Sequence, residues 1–416
     1  MSLEMKPRKR SMIDNVEDNK KFEEDTEWSI LYTQKLLAML GIWPFVKEVA
    51  NKKELLRGFL LISTSLVLIA FIMVPLTIYA ARPNQTLKKR MKVFGPIVIR
   101  VANLMKWYWI IYRRKEIKIC FAHLKSDWKM ASNVWDREIM IKNASVGRRI
   151  TFVSLIFMYI TAGFYQIVLP FLRGKKVDAF NRTIRPFAYP VYDKFPSAQS
   201  SPQYEIIFYT TFISALVTYT TIIAACGLVA TFVTHASGQI EIIMYRLNTL
   251  FDNMNDDLQL LNTRVGVVIR SHVRVLRLTD TIEEALRELC FTEVISSTFL
   301  ICSLGWRVAQ WRTGDHLSAF AYFLYLVTIT YNLFIFCYIG ELLKEQCALI
   351  GKATYLIDWW KMPGKTGQSL ILIIAMANIP RSLTAGGIME LSVTTFASIV
   401  KTAVAYIRFI MSREWH

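Results

Sequence analysis

Residues Gly58–Ala81, GFLLISTSLVLIAFIMVPLTIYAA, form an uncharged run of 24 residues between Arg57 and Arg82. A bilayer core about 30 Å thick takes roughly 20 mostly apolar residues in a helix, so the run reads as a membrane span. Six stretches of the same kind follow: Val93–Tyr112, Ile150–Leu172, Ile206–Thr234, Phe291–Gln310, Leu317–Gly340 and Ile388–Met411. An eighth, Leu370–Ile379, is too short to cross and is closed by Pro380, so a buried or re-entrant segment is expected there. A hydrophobic fraction of 53% with 20% charged residues suits a chain with more than a third of its length in lipid. The fold class expected is all-α, with seven transmembrane helices.

Lys and Arg set the orientation. The segment before the first span holds eleven, among them Lys6, Arg8, Lys9, Arg10 and Lys20. The second-to-third loop adds ten, the fourth-to-fifth six and the sixth-to-seventh five. The opposite side, including Arg82–Lys92, Arg173–Lys194, Arg312 and Arg413, carries only about fourteen. Positive charge stays in the cytoplasm, so the expected topology is inverted, with a cytoplasmic amino terminus and an extracellular carboxyl terminus. The net charge of +18 then reflects topology and attraction to anionic lipid; no soluble face clusters Lys and Arg with aromatics as nucleic-acid binding requires. The first 27 residues lack an apolar core, so the first span is expected to serve as the insertion signal.

The chain divides into a cytoplasmic amino-terminal segment (1–57), spans one to four with their outer loops (58–235), a cytoplasmic helical extension (236–290), spans five and six (291–340), further cytoplasmic helices (341–386), and the seventh span with its tail (387–416). Glycosylation sequons at Asn84 and Asn181 fall in predicted outer loops, whereas the Asn143 sequon falls inside and is a chance match. All six cysteines lie in spans or on the cytoplasmic side, so no extracellular disulfide is expected.

The cytoplasmic parts carry helical periodicity. His272, Val275, Thr279, Ile282, Leu286 and Leu289 recur at three-four spacing, opposite a stripe of Arg270, Arg274, Arg277, Glu283, Glu284 and Arg287. Past the sixth span, Leu343, Cys347, Ile350, Thr354 and Ile357 repeat the pattern. Such extensions make either a private core for one chain or an assembly platform between subunits. In the seventh span Thr395, Ser398, Thr402, Ala405, Phe409 and Ser412 share one face, and Phe396, Val400, Ala403, Ile407 and Ile410 the other. A stripe of small and polar side chains is either a close-packed helix interface or the lining of a water path with Phe409 as a dewetting constriction. Lys401 and Arg408 bear on the choice, because intramembrane charge faces protein or water.

Several segments together resemble insect odorant receptors. Pro380, Leu383-Thr384-Ala385-Gly386-Gly387, Leu391, Phe396, Lys401 and Tyr406 are similar to the carboxyl-terminal signature of that family. Phe336-Cys337-Tyr338 with Gly340-Glu341-Leu342, Tyr355 and Trp359-Trp360 resemble its sixth-span exit; His235-Ala236-Ser237-Gly238-Gln239 with Arg246-Leu247 resemble its fourth-span exit. Leu36-Leu37 with Gly41-Ile42-Trp43-Pro44 resemble its amino-terminal motif. Two departures stand out: Val404-Ala405 precedes Tyr406 where the family often has Ser, and the long fourth-to-fifth insertion of the shared co-receptor is absent. The resemblance therefore implies an odour-specific tuning subunit of an odorant-gated, non-selective cation channel. It implies a heterotetramer with the co-receptor, in the plasma membrane of olfactory sensory neuron dendrites, with membrane lipid and a small volatile organic molecule as further partners. It also implies that the seventh helix lines the pore through Thr402 and Ala405, with a gate at Phe409 and an outer mouth at Ser412 and Arg413. Thr384–Gly387 becomes the joint before the pore helix.

A volatile ligand needs an apolar, water-poor pocket with one or two polar handles. The resemblance puts it among the outer halves of spans two, three, four and six, selecting Ile97, Val101, Thr161, Ala162, Tyr165, Phe208, Phe212, Tyr322 and Tyr325. No cofactor or metal is expected, since the five histidines show no ligand spacing. Enzyme chemistry finds no motif: Gly364-Lys365-Thr366 lacks the upstream Gly of a phosphate loop. A gustatory receptor of the same superfamily is the nearest alternative; a G-protein-coupled receptor is opposed by the topology.

Overall fold

In the computed structural model, residues 19–413 are described apart from 84–86, 132, 175, 178–182, 186, 188, 190–198, 253–256, 311–315, 363 and 380. The sequons at Asn84 and Asn181 fall outside the described residues, as do the side chains of Ile410 and Arg413. The helices are α1 (Phe22–Met39), α2 (Trp43–Val46), α3 (Lys52–Ala81), α4 (Leu87–Tyr112), α5 (Arg114–Met130), α6 (Val134–Gly163), α7 (Leu169–Arg173), α8 (Gln203–Asn248), α9 (Leu258–Ala309), α10 (His316–Leu356), α11 (Gly364–Ala377) and α12 (Val393–Arg413). Two small antiparallel hairpins accompany them: β1 (Lys176–Val177) with β2 (Thr183–Ile184), and β3 (Thr384–Ala385) with β4 (Met389–Glu390).

Each predicted span is helical over most of its length. Five helical stretches are long and apolar enough to cross a membrane by length and composition: α3, residues Val134–Arg173, α8, α9 and α10. The other two, α4 and α12, are interrupted by charge, Arg100 and Lys106 in one and Lys401 and Arg408 in the other. Burial ranks them. The apolar stretch of α8 is 78% buried and forms the central post, whereas that of α3 is 22% buried and lies on the perimeter.

At one end, assigned to the cytoplasm by the charge count and here called inner, α8, α9 and α10 continue well beyond bilayer thickness. At 1.5 Å per residue α9 is about 78 Å long. The three-four faces read from sequence turn inward: Ile282, Leu286 and Leu289 are at most 1% exposed, and Leu343 and Ile350 are 2% exposed. Carboxylates cross-tie this bundle. Asp127 of α5 accepts hydrogen bonds from Arg274 Nε at 2.8 Å and from the His235 ring at 3.0 Å. Asp25 of α1 takes Arg137 at 2.6 and 2.7 Å, and the guanidinium holds its carboxyl below the ordinary range. Asp136 takes Arg246 at 2.6 Å. The charge stripe of α9 is only partly solvated: Arg270 and Arg277 are exposed, while Arg274 and Glu283 are tied to other elements.

The amino-terminal Gly41 motif has a steric cause. Gly41 ends α1 with φ +76°, the Ile42 N–H reaches back to Leu37 O at 2.9 Å, and the tight αL turn follows. A Cβ there would sit 2.5 Å from Gly58 O, so the turn is pressed onto the start of α3.

Two expectations change. The seventh span begins at Val393 rather than Ile388, because Met389 and Glu390 pair back in the β3–β4 hairpin. The joint is that hairpin, turned by Gly386 at φ +67° and Gly387 at φ +72°. The short apolar run becomes α11, which packs on α10. The hairpin is clamped on both sides. Glu283 of α9 accepts from the Thr384 N–H at 2.8 Å and from its hydroxyl; Gly386 N–H reaches Arg287 O at 2.9 Å. On the α10 side, a Cβ at Gly340 would lie 2.4 Å from Leu391 O, so only glycine admits the strand.

Candidate functional site

Toward the other end, five tyrosines surround a small cavity. Tyr165 sits at its centre, with ring centroids 6.4 Å from Tyr189, 6.3 Å from Tyr322 and 6.3 Å from Tyr325. Tyr219 meets Tyr325 at 6.2 Å. Tyr165 belongs to a π-helical turn, Phe164–Val168, between α6 and α7; such turns rotate the side chains that follow and recur at functional sites. The walls are completed by Pro96, Ile99 and Arg100 of α4, Ala215 and Thr218 of α8, and Leu300, Ser303, Leu304 and Arg307 of α9. The free space is about 20 Å³, room for one or two waters. Admitting an organic molecule therefore requires tyrosine rings or helices to move apart.

Of the residues selected from sequence, Tyr165, Tyr322 and Tyr325 line this cavity. Thr161 lies one turn away and shares a 2.7 Å hydrogen bond with Thr328, fastening α6 to α10; Ala162 is buried beside it. Ile97 does not line the cavity but packs against the neighbouring cluster of Ile72, Leu76, Val93, Tyr165, Leu169 and Tyr189, and Val101 turns outward at 46% exposure. Phe208 and Phe212 are half-buried, Phe208 stacking on Tyr204 at 6.1 Å, and neither lines the cavity. On α4 the face differs from the apolar one chosen from sequence, because Arg100 and Lys106 point inward at 1% and 2% exposure. Charge buried in lipid turns toward protein, and that signal was legible in the sequence. The contribution of α9 was missed altogether.

Below the cavity lies a buried polar core. Lys106 Nζ meets Glu293 Oε2 of α9 at 2.5 Å. Asn332 of α10 donates to Glu293 Oε1 at 2.7 Å, and Ser297 donates to the same oxygen at 2.8 Å. Nearby, Trp107 donates its indole N–H to Thr221 at 2.9 Å. These bonds join α4, α8, α9 and α10 where no water competes.

On α12, Ile399 and Ala403 are buried, Phe396 meets Phe334 edge-on at 5.4 Å, and Ile407 fills the space left by Gly305. The opposite face is open: Ser398, Thr402, Ala405, Phe409 and Ser412 are exposed, as is Lys401. Thr402 and Ser412 donate to their own backbone at 2.8 Å. Thr395 leaves the stripe: its hydroxyl donates to Glu390 O at 2.9 Å, and its N–H donates to Ser392 Oγ at 3.1 Å, which caps the helix start.

The 7tm Odorant receptor family model matches residues 86–404. The chain is 21% identical to Odorant receptor 13a of Drosophila melanogaster over 66% of its own length and 71% of that receptor. It is 27% identical to Odorant receptor 82a of the same fly over 54% of its length and 58% of that receptor. Its fold is similar to the structure of the insect olfactory receptor OR5 from Machilis hrabei in complex with eugenol. The TM-score is 0.78 at 14% identity, covering 94% of this chain and all of that one. The sequence signature, the seven-helix architecture and a family match over three quarters of the chain converge: this protein belongs to the insect odorant receptor family.

Proposed function

We propose that the chain is an odour-specific subunit of an odorant-gated cation channel. It works in a heterotetramer with a co-receptor in the plasma membrane of olfactory neurons, with its amino terminus in the cytoplasm. The observation that carries this is the division of α12: an apolar face packed on α9 and α10, and an opposite face of Ser398, Thr402 and Lys401 that the chain leaves open. A hydroxyl-and-lysine face is poorly placed against lipid and suits a water path shared between subunits. In this reading Phe409 is the constriction, and Ser412 and Arg413 stand at the outer mouth. The tyrosine cavity is the ligand site; the complex of the Machilis receptor with eugenol supports a small organic ligand. The long inner helices supply the assembly platform, and Asn84 and Asn181 are glycan acceptors.

Gating follows from the cavity being too small for an organic molecule. A ligand that holds the tyrosines apart favours the conformation in which it fits, and only such differential affinity shifts the equilibrium. α9 and α10 wall the cavity and also clamp the β3–β4 hairpin, so their displacement moves the start of α12. The test is to express the chain with its co-receptor and record odour-evoked current from Ser398→Cys and Thr402→Cys before and after a charged thiol reagent. Block of current at these positions, and none at the buried Ala403→Cys, is expected. Unaltered current at both open-face positions overturns the pore reading.

A further inference from the structure

We propose that the tyrosine cavity is built for odorants with an acidic head, carboxylic acids above all, held by Arg100 and Arg307. This rests on the cavity being the odorant site. Both guanidiniums stand on the cavity wall, and no Asp or Glu lines it. Among the described residues neither has a carboxylate partner.

The contrast with Lys106 decides the point. That equally buried cation is matched by Glu293 at 2.5 Å. Arg100, 1% exposed, donates to Pro96 O at 2.8 Å and to the Tyr189 hydroxyl at 3.1 Å, both neutral acceptors. Its Nε is buried with no acceptor. Arg307 stacks over the Tyr322 ring at 4.1 Å, which leaves its in-plane N–H groups directed past the ring edge. A cation as buried as Arg100 is unfavourable without a counter-charge, and the fold sets a second, partly exposed guanidinium, Arg307, on the wall of the same small space. A carboxylate, ionised at neutral pH because its ordinary pKa is about 4, offers paired acceptor oxygens matching a guanidinium. Ile99, Leu300 and Leu304 supply an apolar wall for its hydrocarbon tail.

The experiment records concentration–response curves from the receptor with its co-receptor. The probes are hexanoic acid and phenylacetic acid, each beside its methyl ester and the corresponding alcohol. Each acid is expected to act at a concentration at least about tenfold below its ester, the size of one charge-assisted hydrogen bond. Arg100→Gln and Arg307→Gln are each expected to remove that preference, with Arg307→Lys restoring part of it. Surface labelling reports delivery; if Arg100→Gln fails to arrive, the Arg307 pair decides. Esters or alcohols acting as well as acids, or Arg307→Gln shifting acid and ester equally, overturns the inference while leaving the cavity as the odorant site. Current from no volatile of any class, with the complex at the surface, instead defeats the reading beneath it.

Discussion

The two ends of the helical bundle differ in how their charges are handled. At the inner end, buried carboxylates are matched: Asp127 with Arg274 and His235, Asp136 with Arg246, Asp25 with Arg137. Around the outer cavity, two arginines face five tyrosine rings and no carboxylate. Ion pairs such as these resist rearrangement, because each one broken strands a charge. An outer end short of counter-charge has a neighbouring state to go to when an anion arrives. The difference fits the proposed division of labour, in which the inner end serves assembly and the outer end the ligand.

That contrast breaks most severely at the layer between the ends. Glu293→Ala strands Lys106 and frees Asn332 and Ser297, so a loss of about 3–5 kcal/mol is expected. Thermal unfolding in detergent and a fall in surface labelling would register it; Lys106→Met with Glu293→Gln should recover most of the loss. Gly340→Ala comes next, at about 1–3 kcal/mol, since the new Cβ meets the Leu391 carbonyl and must push the hairpin away. Its signature is reduced maximal current with little change in the odorant concentration needed. Tyr325→Phe sharpens the comparison from the other side. It keeps the ring and removes only a hydroxyl, so about 0.5–1.5 kcal/mol, a two- to tenfold shift in odorant potency, is expected without loss of assembly. The smallest effect belongs to Arg137→Ala, whose pair with Asp25 is partly solvated: up to about 1 kcal/mol by equilibrium unfolding. Because Arg137 lowers the Asp25 pKa below its ordinary 3.8, this contribution is complete above that pH. It fades as pH falls through the lowered value, so wild type and variant should converge in acid.

What the sequence disclosed follows from periodicity. The stripes His272–Leu289 and Leu343–Ile357 are buried as their spacing requires, since a helix must hide its apolar face wherever it ends up. The tail signature marked the joint before α12, but not that Thr384–Glu390 folds into a hairpin, because its clamp is Glu283, about a hundred residues upstream. The cavity was half legible. Tyr322 and Tyr325 share a face at three-residue spacing, and Tyr165 lies at the matching depth. The α4 wall was misjudged by seeking apolar residues where the buried Arg100 and Lys106 set the inward face. Pairing Lys106 with Glu293 joins positions 187 residues apart, which no local pattern reports.

One feature of α9 has a mechanical corollary. Its single uninterrupted rod bears Arg307 on the cavity wall and Glu283 under the hairpin, about 36 Å apart along the axis. A tilt of about two degrees around either point carries the other by roughly 1 Å. That is comparable to the slack separating a snug steric stop from a released one. On the proposed gating the rod is a lever arm, and a molecule of a dozen atoms needs only to lean on one end of it.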